Sequence, residues 1–189
     1  RFRATIEGTE TQWVCDCGAV CTHDVGEDGK CTICKAKFEA EFNGKYYIPL
    51  NNALWAARST GGTVTVLGNY LHLGTLTLDR GNIVLDLNGK TVTGNIEVKP
   101  GVTLQLKGAG TINGTIEATG TVYDETKLLL TDGWNGTVTN VIVDNAQFEM
   151  SGGTVSNVLS FQRYTAEQAK AQLKITGGTI QYAFGNDTG

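Results

Sequence analysis

A motif that recurs from Gly61 onward constrains the fold of this chain more than any other feature. Each copy has a short stretch of alternating apolar and polar residues, a glycine-rich corner, a threonine with a β-branched residue, and then Gly or Asn. The copies span residues 84–94, 104–114, 128–140, 148–157 and 173–182, with anchoring threonines Thr91, Thr111, Thr137, Thr154 and Thr179. The threonines recur at uneven intervals, which is typical of a repeat architecture whose loops lie at the corners.

These repeats predict an all-β chain that forms a right-handed parallel β-helix, a solenoid in which each coil pairs with the next. The half-strands are too short for a hairpin array, and stacking about 4.8 Å apart gives every backbone group a partner above and below. The right-handed sense follows from the crossover rule for parallel strands. Gly94, Gly114, Asn140 and Asn157 are expected to turn one corner with a left-handed φ. A β-sandwich is the alternative fold.

Three rows of stacked side chains follow from the alignment of the copies. Two are expected to point inward, and the third to form an outward polar row. The first inward row is Leu85, Leu104, Leu129, Phe148 and Leu173; the second is Val92, Ile112, Val138, Val155 and Ile180; the outward row is Asp86, Gln105, Glu149 and Lys174.

Composition and charge narrow the function classes. Charged residues make up 18% of the 189 residues and the net charge is −4. There is no basic run, so nucleic acid is not an expected partner. There is no stretch of about 18 apolar residues, so no insertion into a membrane is expected within this fragment. The chain starts at Arg1 within a predicted strand and ends abruptly, which favours a segment of a longer protein.

A helix is predicted between Pro49 and Arg58, with Leu50, Leu54 and Ala57 on one face. A solenoid needs such a cap, because an open end exposes apolar side chains and unpaired backbone. We therefore divide the chain into a Cys/His-rich module over 1–45, a capping helix and linker over 46–60, and the β-helix over 61–189. A second helical stretch, residues 165–170, is predicted as an insertion between strands.

All five cysteines lie in one short segment that has too few apolar residues to build its own core. They are Cys15, Cys17, Cys21, Cys31 and Cys34, and His23 lies among them. The Cys-x-x-Cys pair of Cys31 and Cys34 has the spacing of a zinc knuckle, and His23 is the obvious nitrogen ligand. The fourth ligand is left open among the first three cysteines. The segment thus predicts a structural zinc site whose candidate ligands are Cys17, Cys21, His23, Cys31 and Cys34, with Cys15 as a further alternative.

Disulfides are the competing interpretation of the cysteines, because a secreted chain favours them, although an odd count leaves one thiol over. A catalytic zinc is disfavoured, because there are more candidate ligands than a four-coordinate site needs and no His-Glu motif accompanies them.

The start of the repeat region resembles a known family. Residues 61–68 and 85–92 are similar to the opening of the pectate-lyase-like right-handed β-helix domains of large multidomain bacterial cell-surface proteins. In that family the β-helix often follows a Cys/His-rich, zinc-ribbon-like stretch ending as Gly29 to Cys34 does here, and then a Tyr-Tyr-x-x-Leu helix like that at Tyr46 to Leu54. The resemblance implies an extracellular or cell-surface location. Some relatives cleave acidic polysaccharides and many only adhere.

Catalytic residues are not evident in the sequence. The acidic candidates for a lyase-type calcium site are scattered, and Arg80 and Arg163 stand alone as possible bases. Those acidic residues are Asp79, Asp86, Asp124, Asp132, Asp144 and Glu149. Sugar rings stack on aromatic side chains, and Trp134 lies at a glycine-rich corner between Asp132 and Asn135, so these three are the candidate ligand-binding residues. The alternative is that Trp134 seals a corner of the coil.

The function expected from the sequence is therefore a non-catalytic β-helix domain of an extracellular or cell-surface protein. Its expected partners are glycans or a host or cell-surface protein, and it is expected to be monomeric within a longer chain. A fragment of a polysaccharide lyase or glycoside hydrolase is the first alternative, and a structural spacer of a surface protein is the second.

Overall fold

The computed structural model of the protein describes residues 2–7, 10–15, 20–162 and 172–187. The strands and the helix, in chain order, are β1 Phe2–Glu7, β2 Glu10–Cys15, β3 Ala40–Phe42, β4 Lys45–Tyr47, α1 Leu50–Ala57, β5 Gly62–Val66, β6 Tyr70–Leu78, β7 Asn82–Asp86, β8 Lys90–Val98, β9 Thr103–Lys107, β10 Gly110–Thr119, β11 Lys127–Leu130, β12 Thr137–Asp144, β13 Gln147–Met150, β14 Thr154–Gln162, β15 Gln172–Ile175 and β16 Thr179–Asp187.

Strands β5 to β16 alternate between two parallel sheets, which confirms the predicted parallel β-helix. One sheet has six strands in the order β16-β14-β12-β10-β8-β6, and the other runs β15-β13-β11-β9-β7-β5-β3-β4. In the second sheet only β3 runs opposite to the other strands, because it pairs antiparallel with β4 on one side and with β5 on the other. The sheet of the solenoid therefore extends into the segment that precedes α1. Strands β1 and β2 form a separate antiparallel pair.

The core fills the space between the two sheets. The second predicted inward row is confirmed, because Val92, Ile112, Val138, Val155 and Ile180 stack in register from β8 to β16. The first predicted inward row was wrong at two positions, Leu85 and Leu129. Leu104 lies between Ile83 and Leu128, while Leu85 pairs with Leu106 one row further along. Leu129 pairs with Gln105 on the outer surface, so the run of three leucines in β11 concealed the alternation.

The outward row contains Val84, Gln105, Leu129, Glu149 and Lys174. The prediction that Asp86 belongs to it was wrong, because Asp86 pairs with Lys107 one pleat further along.

The predicted corner with a left-handed φ was also largely wrong. Of its four residues only Gly94 has a left-handed φ, of 138°. Asn140 and Asn157 instead lie within β12 and β14.

The helix α1 ends the solenoid on the side of β5. It was predicted between Pro49 and Arg58, and it spans Leu50–Ala57 with Leu50, Ala53, Leu54 and Ala57 buried in the same core as β5. In the described part of the chain no helix is long and apolar enough to cross a bilayer. The predicted insertion at residues 165–170 and the candidate base Arg163 lie outside the described residues.

Candidate metal centre

Four of the predicted zinc ligands come together in the segment before β3. The ligand atoms of Cys21, His23, Cys31 and Cys34 all lie within 4.8 Å of one another. The Sγ atoms of Cys21 and Cys31 are 3.6 Å apart, and the Nδ1 atom of His23 lies 3.5 Å from the Sγ atom of Cys34. Among the described residues this is the one group of His, Cys, Asp and Glu side chains with such an arrangement.

These separations fit a tetrahedral ion better than a disulfide. Zinc–sulfur bonds of about 2.3 Å and a zinc–nitrogen bond of about 2.0–2.1 Å give tetrahedron edges of about 3.8 Å and about 3.6 Å. A disulfide needs a sulfur–sulfur distance of about 2.05 Å, and Cys21, Cys31 and Cys34 are all free thiols.

The first half of the site is built by a turn. Alternation along a short strand would also place Cys21 and His23 on one side, but residues 21–24 form no strand. His23 adopts a left-handed φ of 44° instead, and its backbone N–H donates to the Sγ atom of Cys21 at 3.4 Å. The left-handed residue turns the chain back on itself, so two ligands separated by one residue face the same centre.

The second half is the predicted knuckle. The backbone N–H of Cys34 donates to the Sγ atom of Cys31 at 3.4 Å. The loop is closed by Cys31 N–H donating to the Ala36 carbonyl at 2.8 Å and by Lys35 N–H donating to the Cys31 carbonyl at 3.0 Å. Lys35 takes a left-handed φ of 62° to complete the turn. Backbone donors that point at sulfur stabilise the thiolate, which is the form that binds a metal.

The pKa values of Cys31 and Cys34 are shifted in opposite directions. Burial alone would raise the pKa of Cys31, but hydrogen bonds from the Cys34 backbone, the His23 ring and further backbone N–H groups outweigh it and lower the pKa to about 6. Burial raises the pKa of Cys34 to about 12, and the nearby sulfurs of Cys31 and Cys21 add to the effect. A bound metal cation would favour the thiolate form of both cysteines.

A small apolar cluster encloses the site on the side of the solenoid. Cys21 and Cys31 are buried with Ala36 and Phe38. The His23 ring packs edge-on against Phe38 with centroids 4.6 Å apart, and against Tyr46 at 5.9 Å. These edge-on contacts favour one orientation of the imidazole.

Two further cysteines were candidates for the site. Cys17 lies outside the described residues, and only the backbone of Cys15 is described, at the end of β2. The four donors that do assemble already satisfy the coordination number that structural zinc prefers.

At the predicted sugar-binding corner, the structure buries the aromatic ring that was expected to be displayed. Trp134 is only 3% exposed and packs in the core, so it offers no ring face to a ligand, which corrects its assignment as a stacking platform. Gly136 and Gly153 lie directly against the indole, where a Cβ atom would clash with it. Asp132 and Asn135 remain exposed on either side. The sequence could not separate a sealing ring from a displayed one, because both favour a glycine-rich corner.

The candidate lyase residues that the structure describes form separate local contacts and do not form one cluster. Asp79 pairs with Arg58 at 3.3 Å and with Arg80 at 3.7 Å. Asp86 accepts from the Asn88 backbone at 2.9 Å, and Glu149 pairs with Lys174 at 3.3 Å. Asp124 accepts from Thr121, Asp132 accepts from Gln105, and Asp144 is buried.

Comparison of the chain with protein-family models, with curated proteins and with solved structures found no match.

Proposed function

We propose that this chain is a non-catalytic β-helix segment of an extracellular or cell-surface protein that binds glycans or a protein partner, with a structural zinc ion at its N-terminal end. The observation that carries this proposal is the closed donor set of Cys21, His23, Cys31 and Cys34. Four protein donors fill a tetrahedral site and leave no position for a water or a substrate. A site of this kind stabilises a fold and does not perform hydrolysis.

Zinc is the metal that the donors favour. Three thiolates and one imidazole form a soft, tetrahedral set, whereas calcium and magnesium take oxygen ligands. The separations of 3.6 Å and 3.5 Å match the tetrahedron edges expected for zinc. The module would accordingly resemble a zinc ribbon, in which the metal replaces the hydrophobic core that a short segment lacks.

The proposed binding function rests on the solenoid itself. A parallel β-helix is rigid and presents flat outer faces, and its described carboxylates are held in local pairs instead of a calcium site. The fold by itself is compatible with catalysis or binding, and the distribution of these groups supports the proposal of binding.

The metal is tested by substitution of each cysteine with serine. We expect about one zinc per chain by elemental analysis, lost in the Cys21→Ser, Cys31→Ser and Cys34→Ser variants. Cys15→Ser and Cys17→Ser are matched controls that should keep the metal. A metal-free wild-type protein purified without chelator would contradict the zinc proposal, and metal loss in Cys17→Ser alone would place that residue in the site.

The non-catalytic proposal is tested by incubating the whole chain with acidic and uncharged polysaccharides, with and without calcium. We expect no release of reducing or unsaturated sugars. Depolymerisation that is lost in an Arg80→Ala variant would overturn the proposal in favour of a polysaccharide lyase or hydrolase.

A further inference from the structure

The outer surface of the six-stranded sheet carries two rows of side chains. They are separated by the buried row of Leu76, Ile96, Ile116, Val141 and Val158, so strand alternation turns both of them outward. The amide row is Thr75, Asn95, Thr115, Asn140, Asn157 and Tyr182; the mixed row is Thr77, Glu97, Glu117, Ile142, Leu159 and Phe184.

The mixed row changes character along the solenoid. It is acidic at Glu97 and Glu117, and it is apolar from Ile142 through Leu159 to Phe184. On β16 both rows end in an aromatic ring. Tyr182 is 62% exposed and Phe184 is 63% exposed. Two residues apart on one strand, the rings lie on the same face at a spacing of about 6.8 Å.

The amide row supplies fixed polar groups beside the rings. The Nδ2 atom of Asn157 donates to the Oδ1 atom of Asn140 at 2.8 Å, and the Nδ2 atom of Asn140 donates to the Oγ1 atom of Thr115 at 3.4 Å. These bonds hold each amide in a set orientation. Each amide has two N–H donors and an oxygen with two lone pairs, so this pattern leaves capacity to both donate and accept.

Sugar chemistry matches this combination. The C–H face of a pyranose stacks on a flat apolar ring, and its hydroxyls both donate and accept hydrogen bonds. The charge of the face selects the class of sugar. The polar side chains of this patch are neutral. Further along the mixed row Glu97 is paired with Lys99, and the carboxylate of Glu117 disfavours an acidic polymer.

We propose that the face formed by Asn140, Ile142, Asn157, Leu159, Tyr182 and Phe184 binds an uncharged polysaccharide. The two rings stack against sugar units and the asparagines hydrogen-bond their hydroxyls. This proposal rests on the proposed binding function and names the ligand class and the surface. The buried Trp134 takes no part in it.

The test is binding of the whole chain to immobilised polysaccharides, read by affinity electrophoresis and pull-down. Xylan, mannan, mixed-linkage glucan and chitin serve as uncharged probes, and polygalacturonate and alginate as acidic ones. We expect the chain to bind at least one uncharged polymer, and Tyr182→Ala with Phe184→Ala to weaken that binding about tenfold or more. Tyr182→Phe keeps the ring and should bind within about threefold of wild type.

The matched control is Tyr123→Ala, which removes an even more exposed ring outside this face and should leave binding unchanged. Thermal unfolding of each variant separates lost contacts from lost folding. Unchanged binding by the folded double variant overturns this surface while leaving the binding function standing. Binding of acidic polymers only, or of no polymer at all, overturns the ligand class. Zinc content and the absence of depolymerisation, measured separately, test the proposed function.

Discussion

Gly29 lies where the segment that carries the Cys/His cluster touches the first coil of the solenoid. Its φ is 75°, and a Cβ atom there would lie 2.6 Å from the Phe38 carbonyl oxygen and 3.0 Å from that of Leu67. The Phe38 N–H donates to the Gly29 carbonyl at 2.7 Å. The absence of a side chain therefore allows two backbone segments to approach closely, and only glycine meets both requirements.

We expect Gly29→Ala to destabilise the protein by about 3 kcal/mol, because it combines left-handed strain with a clash against backbone that cannot shift. Gly44→Ala is the matched control. Gly44 has a φ of 77° with nothing within 4 Å of the added Cβ, so it should cost only about 1–2 kcal/mol. Urea unfolding measures both variants. Equal losses in the free energy of unfolding would show that the close approach of the two backbone segments at Gly29 does not affect stability.

A second prediction at the residue scale tests which leucines face inward. Leu104 is fully buried between Ile83 and Leu128, so Leu104→Ala should reduce the free energy of unfolding by about 2–5 kcal/mol. Leu129 is half-buried on the outer surface, and Leu129→Ala should cost less than about 1 kcal/mol. Urea unfolding of the two variants should give this order, and the reverse order would contradict the register described for β11.

At the scale of elements, the three residues from Phe38 to Ala40 connect the segment that carries the Cys/His cluster, the capping helix α1 and the first coil. Phe38 packs on the His23 ring. Glu39 accepts the Leu67 N–H on its carbonyl at 2.8 Å and the Leu50 N–H on its Oε2 atom at 3.1 Å. Pro49 precedes α1 without a capping side chain of its own, so Glu39 caps the helix from a neighbouring segment.

We expect Glu39→Ala to destabilise the protein by about 0.5–2 kcal/mol, since it removes an acceptor and a negative charge from the N-terminus of α1. Glu39→Gln keeps an acceptor of similar length and should lose less. Differential scanning calorimetry of the two variants measures the difference. A Glu39→Gln loss as large as that of Glu39→Ala would assign the effect to charge alone.

At the scale of the molecule, the same connection should make the end of the solenoid depend on the metal. A ligand that binds only the folded site stabilises what is coupled to it. We expect removal of zinc by chelator to increase amide hydrogen exchange in α1, β3 and β5. The coils from β9 to β14 should exchange as before, because each coil contacts chiefly its neighbours. Uniform acceleration, or no change near α1, would show that the module and the solenoid fold independently.

Local chemistry made much of this molecule predictable from its sequence. Alternation and stacked threonines predicted the parallel β-helix, and the periodicity of Leu50, Leu54 and Ala57 predicted the helix that caps it. Cysteine spacing identified Cys31 and Cys34 of the candidate metal centre, because the Cys-x-x-Cys turn is a local structure, but it left the fourth ligand open among Cys15, Cys17 and Cys21. These features depend on residues close in sequence, where backbone sterics and side-chain periodicity act directly.

Only the tertiary structure decided which residues face each other across coils. The choice of Cys21 depended on the left-handed turn at His23 and on Phe38 packing against its ring. Trp134 fits into the core because Gly136 in its own corner and Gly153 in the next coil leave room for the indole, and Leu129 lies on the surface because of its register with Gln105. A one-residue shift in register turns a side chain from core to solvent, and loops of uneven length between coils leave that register unspecified by local sequence.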